Sequence, residues 1–140
     1  MMMRYSDTAA LIARLSFGAM MAFGHGWGKL QKLISGDEIQ FISLMGLPEN
    51  LSLGLAVFAE FVACLFIMIG YKTRFFSIFI IITMLIAAFY VHSADALFMQ
   101  NADGGGSKEP ALLYLSGFVI IYLLDSGKYS LDDRLKILRT

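Results

Sequence analysis

The sequence predicts an all-α integral membrane protein: a four-helix bundle of transmembrane helices with both termini in the cytoplasm. Three observations predict it. Of the 140 residues 58% are hydrophobic and only 16% charged, and the mean hydropathy is +0.69. Soluble domains average about 25% charged residues, and a small soluble fold leaves too much area exposed to hide so much apolar surface. Next, the apolar residues fall into four runs separated by polar turns. Last, the basic residues collect on one side of the alternating path those runs define. Residues 1–140 are expected to form a single membrane domain. The net charge is zero, so no bulk field draws the chain to nucleic acid, and the lone Cys64 excludes an intramolecular disulfide or a Cys-x-x-Cys centre.

The first span is expected over residues 8–29. Asp7 is placed to cap its start, and Trp27 sits where an interfacial aromatic would. Arg14 interrupts its apolar run and no small-x-small cleavage site follows, so the segment is expected to be retained rather than removed as a signal peptide. After it, Ser35-Gly36-Asp37-Glu38 has the spacing of a capping box, and Ile39, Phe41, Ile42 and Met45 form an apolar stripe. That pattern predicts an amphipathic helix over residues 36–45, lying in the headgroup region.

The second span is expected over residues 50–70, with Pro48 before it and Gly70 as its stop. The third, over residues 75–92, carries no charge from Phe75 to Val91. A loop with Gly104-Gly105-Gly106 follows, expected to be flexible. It lacks the Lys-Ser/Thr of a phosphate loop. The fourth span, over residues 110–124, opens on Pro110 and is shorter than the ~20 residues a bilayer normally needs, so flanking side chains or local thinning must make up the difference.

Orientation follows from charge. Arg4, Lys72, Arg74, Lys128, Arg134, Lys136 and Arg139 share one side of a four-span path. Lys29, Lys32 and Lys108 share the other with Asp37, Glu38, Glu49, Asp95, Asp103 and Glu109. The basic excess assigns the first side to the cytoplasm.

Arg14 and Glu60 are the informative charges inside the spans. Each costs about 2.5–3.5 kcal/mol at mid-bilayer on insertion scales, against roughly 0.3–0.6 kcal/mol returned by one Leu or Ile. Both are therefore expected to face the interior. At 1.5 Å per residue, Arg14 lies about 9 Å in from one surface and Glu60 about 15 Å in from the other. In a core ~30 Å thick their levels differ by about 6 Å, which an arginine spans, so an Arg14–Glu60 ion pair is feasible. Such a pair either locks two helices together or belongs to a functional pocket.

Arg14, Gly18, Met21, His25 and Gly28 or Lys29 recur at three- and four-residue steps and are expected to share one face of the first span. Gly24 and Gly28 form a GxxxG, whose usual meaning is close helix approach. The alternative is a glycine-lined opening near His25. His25 and His92 fall near the outer ends of their helices, where a histidine suits either an interfacial hydrogen bond or proton exchange beside a quinone headgroup. No His-x-x-x-His, Cys/His cluster or carboxylate motif supports a metal, so none is expected and haem is disfavoured. Asp95, Asp103 and Glu109 are expected to be solvated loop acids.

Several pieces taken together resemble the DoxX family of small four-helix membrane proteins (DoxX/DoxD-like). They are Arg14, His25-Gly26 with Lys29, Gly46-Leu47-Pro48 and Ala59-Glu60, then Gly70-Tyr71-Lys72-Thr73-Arg74, His92 and Glu109, and finally Ser126-Gly127-Lys128-Tyr129-Ser130-Leu131-Asp132. The resemblance runs from about Leu11 to Asp132. It implies association with quinone-linked redox systems or oxidative-stress defence, in the bacterial inner membrane. With the residue reading it gives a candidate ligand set of Arg14, His25, Lys29, Glu60, His92 and Glu109. Quinone is the candidate cofactor, held among the first three spans with Arg14 as counter-ion of Glu60. The chain lacks paired cysteines or a haem motif, so electron transfer by this chain alone is not expected; it would be a subunit of a quinone-linked oxidoreductase. Expected partners are the lipid bilayer, redox-enzyme subunits and a homo-oligomer. A non-catalytic assembly subunit and an oligomeric small-molecule transporter are the alternatives.

Overall fold

A computed structural model describes residues 2–98 and 106–138, with side chains from Tyr5 onward. Asp103, Gly104, Gly105 and Arg139 lie outside the described residues, as does the Arg4 side chain. The described residues form five helices and no strand, apart from one isolated bridge between Ala96 and Ser107.

Helix α1 occupies residues 2–34, as Met2–Met21, a π turn at Ala22–Gly26 and Trp27–Ile34. It is longer at both ends than the expected span. Nothing in Met2 to Ser6 breaks a helix, so Asp7 falls inside it, and the carboxylate accepts from Lys128 N at 3.0 Å instead of capping.

The stretch after α1 corrects an expectation. Residues 36–45 do not form an interfacial helix; 35–43 are irregular, with a single 3-10 turn at Leu44–Gly46. Ser35 caps the end of α1, its Oγ donating to Lys32 O at 3.1 Å, and Gly36 takes the left-handed conformation at φ 77°. Ser35-Gly36 is therefore a helix stop. A C-terminal glycine outweighs a capping-box spacing because the left-handed turn reverses the chain before a new helix can nucleate.

Helix α2 spans Glu49–Ile69 with a π turn at Phe58–Val62. Gly70 closes it at φ 73°, and Tyr71 N donates back to Phe66 O at 3.0 Å, the bonding of a Schellman stop. Helix α3 spans Thr73–Val91 and ends in a π turn at Ala87–Val91. Helix α4, Glu109–Leu124, has Pro110 in its first turn, where the missing N–H has no partner to lose. A short α5, Leu131–Ile137, follows; Ser130 Oγ caps it by accepting from Asp133 N at 3.2 Å.

α1 packs on α2 and α4, and α3 packs on the same two helices. Phe118, Ile67, Ile80, Ile121 and Cys64 are fully buried where the four meet. Small residues set the closest approaches. A Cβ on Gly26 would stand 2.7 Å from Glu60 O, and one on Gly117 would run into the Phe17 ring.

Polarity is arranged inside out. Arg14, Glu60, Ser52, Thr73 and Ser77 are buried, while Ile12, Phe23, Ile69, Phe75, Phe89 and Leu123 are exposed. Water would penalise both halves of that arrangement; hydrocarbon favours both. α2 and α3, with mean hydropathies of 2.3 and 2.2, are long and apolar enough to cross a membrane, and α4 is a shorter apolar helix.

Candidate ligand-binding site

Two polar centres lie inside the helices, and the expected Arg14–Glu60 pair is neither of them. Lys29 Nζ pairs with Glu60 Oε2 instead. Arg14 sits seven or more residues away along α2, a separation of about 10 Å at 1.5 Å per residue. Its Nη1 donates to Ile67 O at 3.3 Å and Met68 O at 3.4 Å, and Nη2 donates to Tyr129 O at 2.7 Å.

The reason is directional. α1 and α2 run antiparallel, since Arg14 meets Ile67 while Lys29 meets Glu60. Helical side chains lean toward their own N-terminus. Arg14 and Glu60 therefore lean apart, and Lys29 and Glu60 lean together. The two α2 carbonyls Arg14 reaches, Ile67 O and Met68 O, are among the last of that helix and carry the negative end of its dipole; Ile67 O also accepts from Gly70 N at 3.0 Å.

Arg14 thus serves as a staple. Its guanidinium is fully buried and ties α1, the end of α2 and the segment before α5 at one point. Gly70 leaves room for it: a Cβ there would strike Arg14 Nη1. Asp132 N donates to Gly70 O at 3.1 Å and Ser126 Oγ to Asp132 Oδ2 at 2.6 Å, so the same end is laced by hydrogen bonds.

The other end holds the candidate site. A cavity of about 910 Å³ opens between α2, α3 and the loop after α1. Its walls are largely apolar, with Leu55, Phe58, Phe79, Ile82 and Ile86 among them, and Lys29, Glu60 and His92 supply polar groups. Residues Gln40 to Leu44 cover one side. That cover is hung on side chains: Lys32 donates to Gln40 O, Phe41 N to Glu49 Oε2 at 3.0 Å, and Leu44 N to Ser52 Oγ at 3.1 Å.

Glu60 lies within the π turn of α2, against that of α1, and His92 N makes the five-residue bond to Ala87 O that closes the π turn of α3. π turns recur at functional sites because the extra residue re-aims the side chains around it. The turn in α1 has that effect on His25. With normal helical spacing His25 would share the buried face of Arg14, Gly18 and Met21. The extra residue puts Gly26 there instead, and His25 is exposed with its ring 5.3 Å from Tyr114.

Of the six candidate residues, the fold brings Lys29, Glu60 and His92 to the cavity. It directs Arg14 to the opposite end and His25 to α4, and Glu109 opens α4 outside the cavity lining. Gly24 and Gly28 also depart from expectation. Among the described residues nothing lies within 4 Å of a Cβ on either, so the GxxxG mediates no close approach there, whereas Gly26 does.

Asp95, expected to be a solvated loop acid, joins His92 beside the cavity. Its Oδ2 lies 2.6 Å from His92 Nδ1. The return of the chain holds it there: Lys108 N donates to Ala96 O at 3.0 Å, and Gly106 passes so close that a Cβ would stand 2.9 Å from Asp95 Cγ. The three-residue step from His92 was the available signal. Among the described residues no cluster of His, Cys, Asp and Glu could hold a metal ion.

Polar groups turned inward, apolar side chains turned outward and two helices long enough to cross a bilayer define a helical membrane protein. Comparison with known sequences names the kind. The profile of the DoxX family matches residues 9–93, and the chain belongs to that family. It is also similar to the inner membrane protein YqjF of Escherichia coli (strain K12), 29% identical over 137 residues covering 94% of this chain and 95% of that protein. No solved structure matches it.

Proposed function

We propose that this protein is a multi-pass component of the bacterial inner membrane that binds a quinone between α2 and α3 and serves quinone-linked redox or oxidative-stress systems. In this reading α1 to α4 are the spans, the Arg14 end and both termini are cytoplasmic, and the cavity opens toward the outer leaflet. The similarity to an inner membrane protein supports the location, and the basic residues beside the Arg14 end support the orientation.

The observation that carries the ligand is the cavity's division. Its apolar walls suit an isoprenoid tail and ring, and its few polar groups can fix a headgroup. A bound quinone would supply two-electron, two-proton chemistry. The chain supplies the rest. Glu60 and His92 present hydrogen-bonding atoms on two helices, Lys29 neutralises Glu60 so that the carboxylate can stay in an apolar setting, and Phe41 and Leu44 shield the pocket from water. Partner subunits would provide the electron path.

The test is extraction of the protein, purified in native lipid, followed by chromatography for quinone, together with titration of a short-tailed quinone into delipidated protein. Co-purified quinone, in either redox state, and saturable binding weakened at least about tenfold by Ala56→Trp, whose ring would fill the cavity, are expected. Protein that carries no quinone and takes up none would end the proposal.

A further inference from the structure

The hydrogen-bonding groups of the cavity discriminate between the two redox states of such a ligand, an inference that rests on the quinone reading above. A carboxylate only accepts. Asp95 Oδ2 at 2.6 Å therefore requires a proton on His92 Nδ1, and in the neutral tautomer that carries it there Nε2 is an acceptor. Glu60 gives Oε2 to Lys29, and Oε1 remains to accept. Thr83 Oγ1 has spent its proton on Phe79 O at 2.8 Å. Lys29 still holds two ammonium protons beside Glu60.

A quinone carbonyl can only accept. It could engage Lys29, but it would cover Glu60 Oε1 and His92 Nε2 without bonding to them, and a buried acceptor without a donor is costly. A hydroxyl both donates and accepts, so it can meet Glu60 and Lys29 together, or His92 Nε2 alone. We infer that the cavity selects a dihydroxyaryl headgroup, the reduced form of the ligand, over the corresponding dicarbonyl. Asp95 is the positioning residue that sets this preference by fixing the tautomer of His92. The same inventory disfavours an anionic amphiphile, because Lys29 is committed to Glu60 and Glu49 adds a second carboxylate to the lining.

The experiment uses the full chain in lipid nanodiscs with a decyl-substituted benzoquinone and its hydroquinone, the latter kept reduced under anaerobic conditions, each titrated separately. The hydroquinone should bind at least about tenfold tighter, the scale set by one unmet buried acceptor. In Asp95→Asn the amide can donate to Nδ1 and move the ring proton to Nε2, which then suits a carbonyl. The ratio of the two affinities should fall toward one as the quinone gains. A purely structural Asp95 would weaken both forms alike and leave the ratio unchanged, which would overturn its assigned part. Glu60→Gln serves as a second variant: its amide adds a donor where the carboxylate only accepts, so the ratio should again fall as the quinone gains. Equal affinities in the wild-type protein, or tighter quinone binding, would overturn the preference while leaving the binding site intact. If neither form binds, the quinone reading and this inference fall together.

Discussion

Glycines two residues apart on α1 behave in opposite ways, and the difference is steric. Gly26 faces the backbone of Glu60, where a Cβ would stand 2.7 Å from the carbonyl oxygen and 2.8 Å from its carbon. Neither atom can yield without moving α2. Gly26→Ala should cost about 1–3 kcal/mol and disturb the Lys29–Glu60 pair. Gly24→Ala and Gly28→Ala meet nothing within 4 Å and should lie within about 0.5 kcal/mol of the parent. Unfolding in mixed micelles would rank the three. Arg14 is the second test at this scale. Arg14→Met would strip donors from three carbonyls, at a cost of at least about 2 kcal/mol. Arg14→Lys keeps the charge but not the fork that reaches Ile67, Met68 and Tyr129 together, so it should recover less than half. Ligand binding at the far cavity should persist in molecules that remain folded.

At the scale of elements, what was legible in the sequence depended on how local its cause was. Gly70 and Pro110 act through their own φ angles, and both mark helix ends in the structure. Ser35-Gly36 is local too, but two local rules competed there, and the stop prevailed over the start. The π turns were not legible. Each adds one residue to a turn, and hydrophobic periodicity cannot register that shift in so short a span. Their consequence is large, because the turn in α1 decides that Gly26 rather than His25 faces α2. The cover over the cavity has no backbone ladder of its own and hangs from Lys32, Glu49 and Ser52. Glu49→Ala and Ser52→Ala should speed hydrogen exchange at the Phe41 and Leu44 amides while leaving the amides of α4 unchanged. Such a loop lies at the low-stability end of a fold, where opening is cheap.

For the whole molecule, the exposed apolar belt and buried polar groups make a bilayer part of the fold, and topology is the property to test. Cys64 is fully buried, so the parent protein should give little reaction with membrane-impermeant thiol reagents. Cysteine placed at Lys32 should label from the outer face of right-side-out vesicles, and cysteine at Lys136 only from the cytoplasmic face. Both labelling from one side would refute the four-span path and the orientation drawn from charge.

Composition, apolar run length and the placement of Lys and Arg were sufficient for the helical class, the membrane setting and the inward demand on Arg14 and Glu60, because each follows from the cost of moving a group between water and hydrocarbon. That cost depends on residue type and not on partner, so it can be summed along a chain. The choice of partner cannot. Which cation meets Glu60, which helix receives His25 and whether Asp95 reaches His92 depend on the lean of side chains across an antiparallel pair and on one extra residue in a turn, and those exist only once the helices are packed.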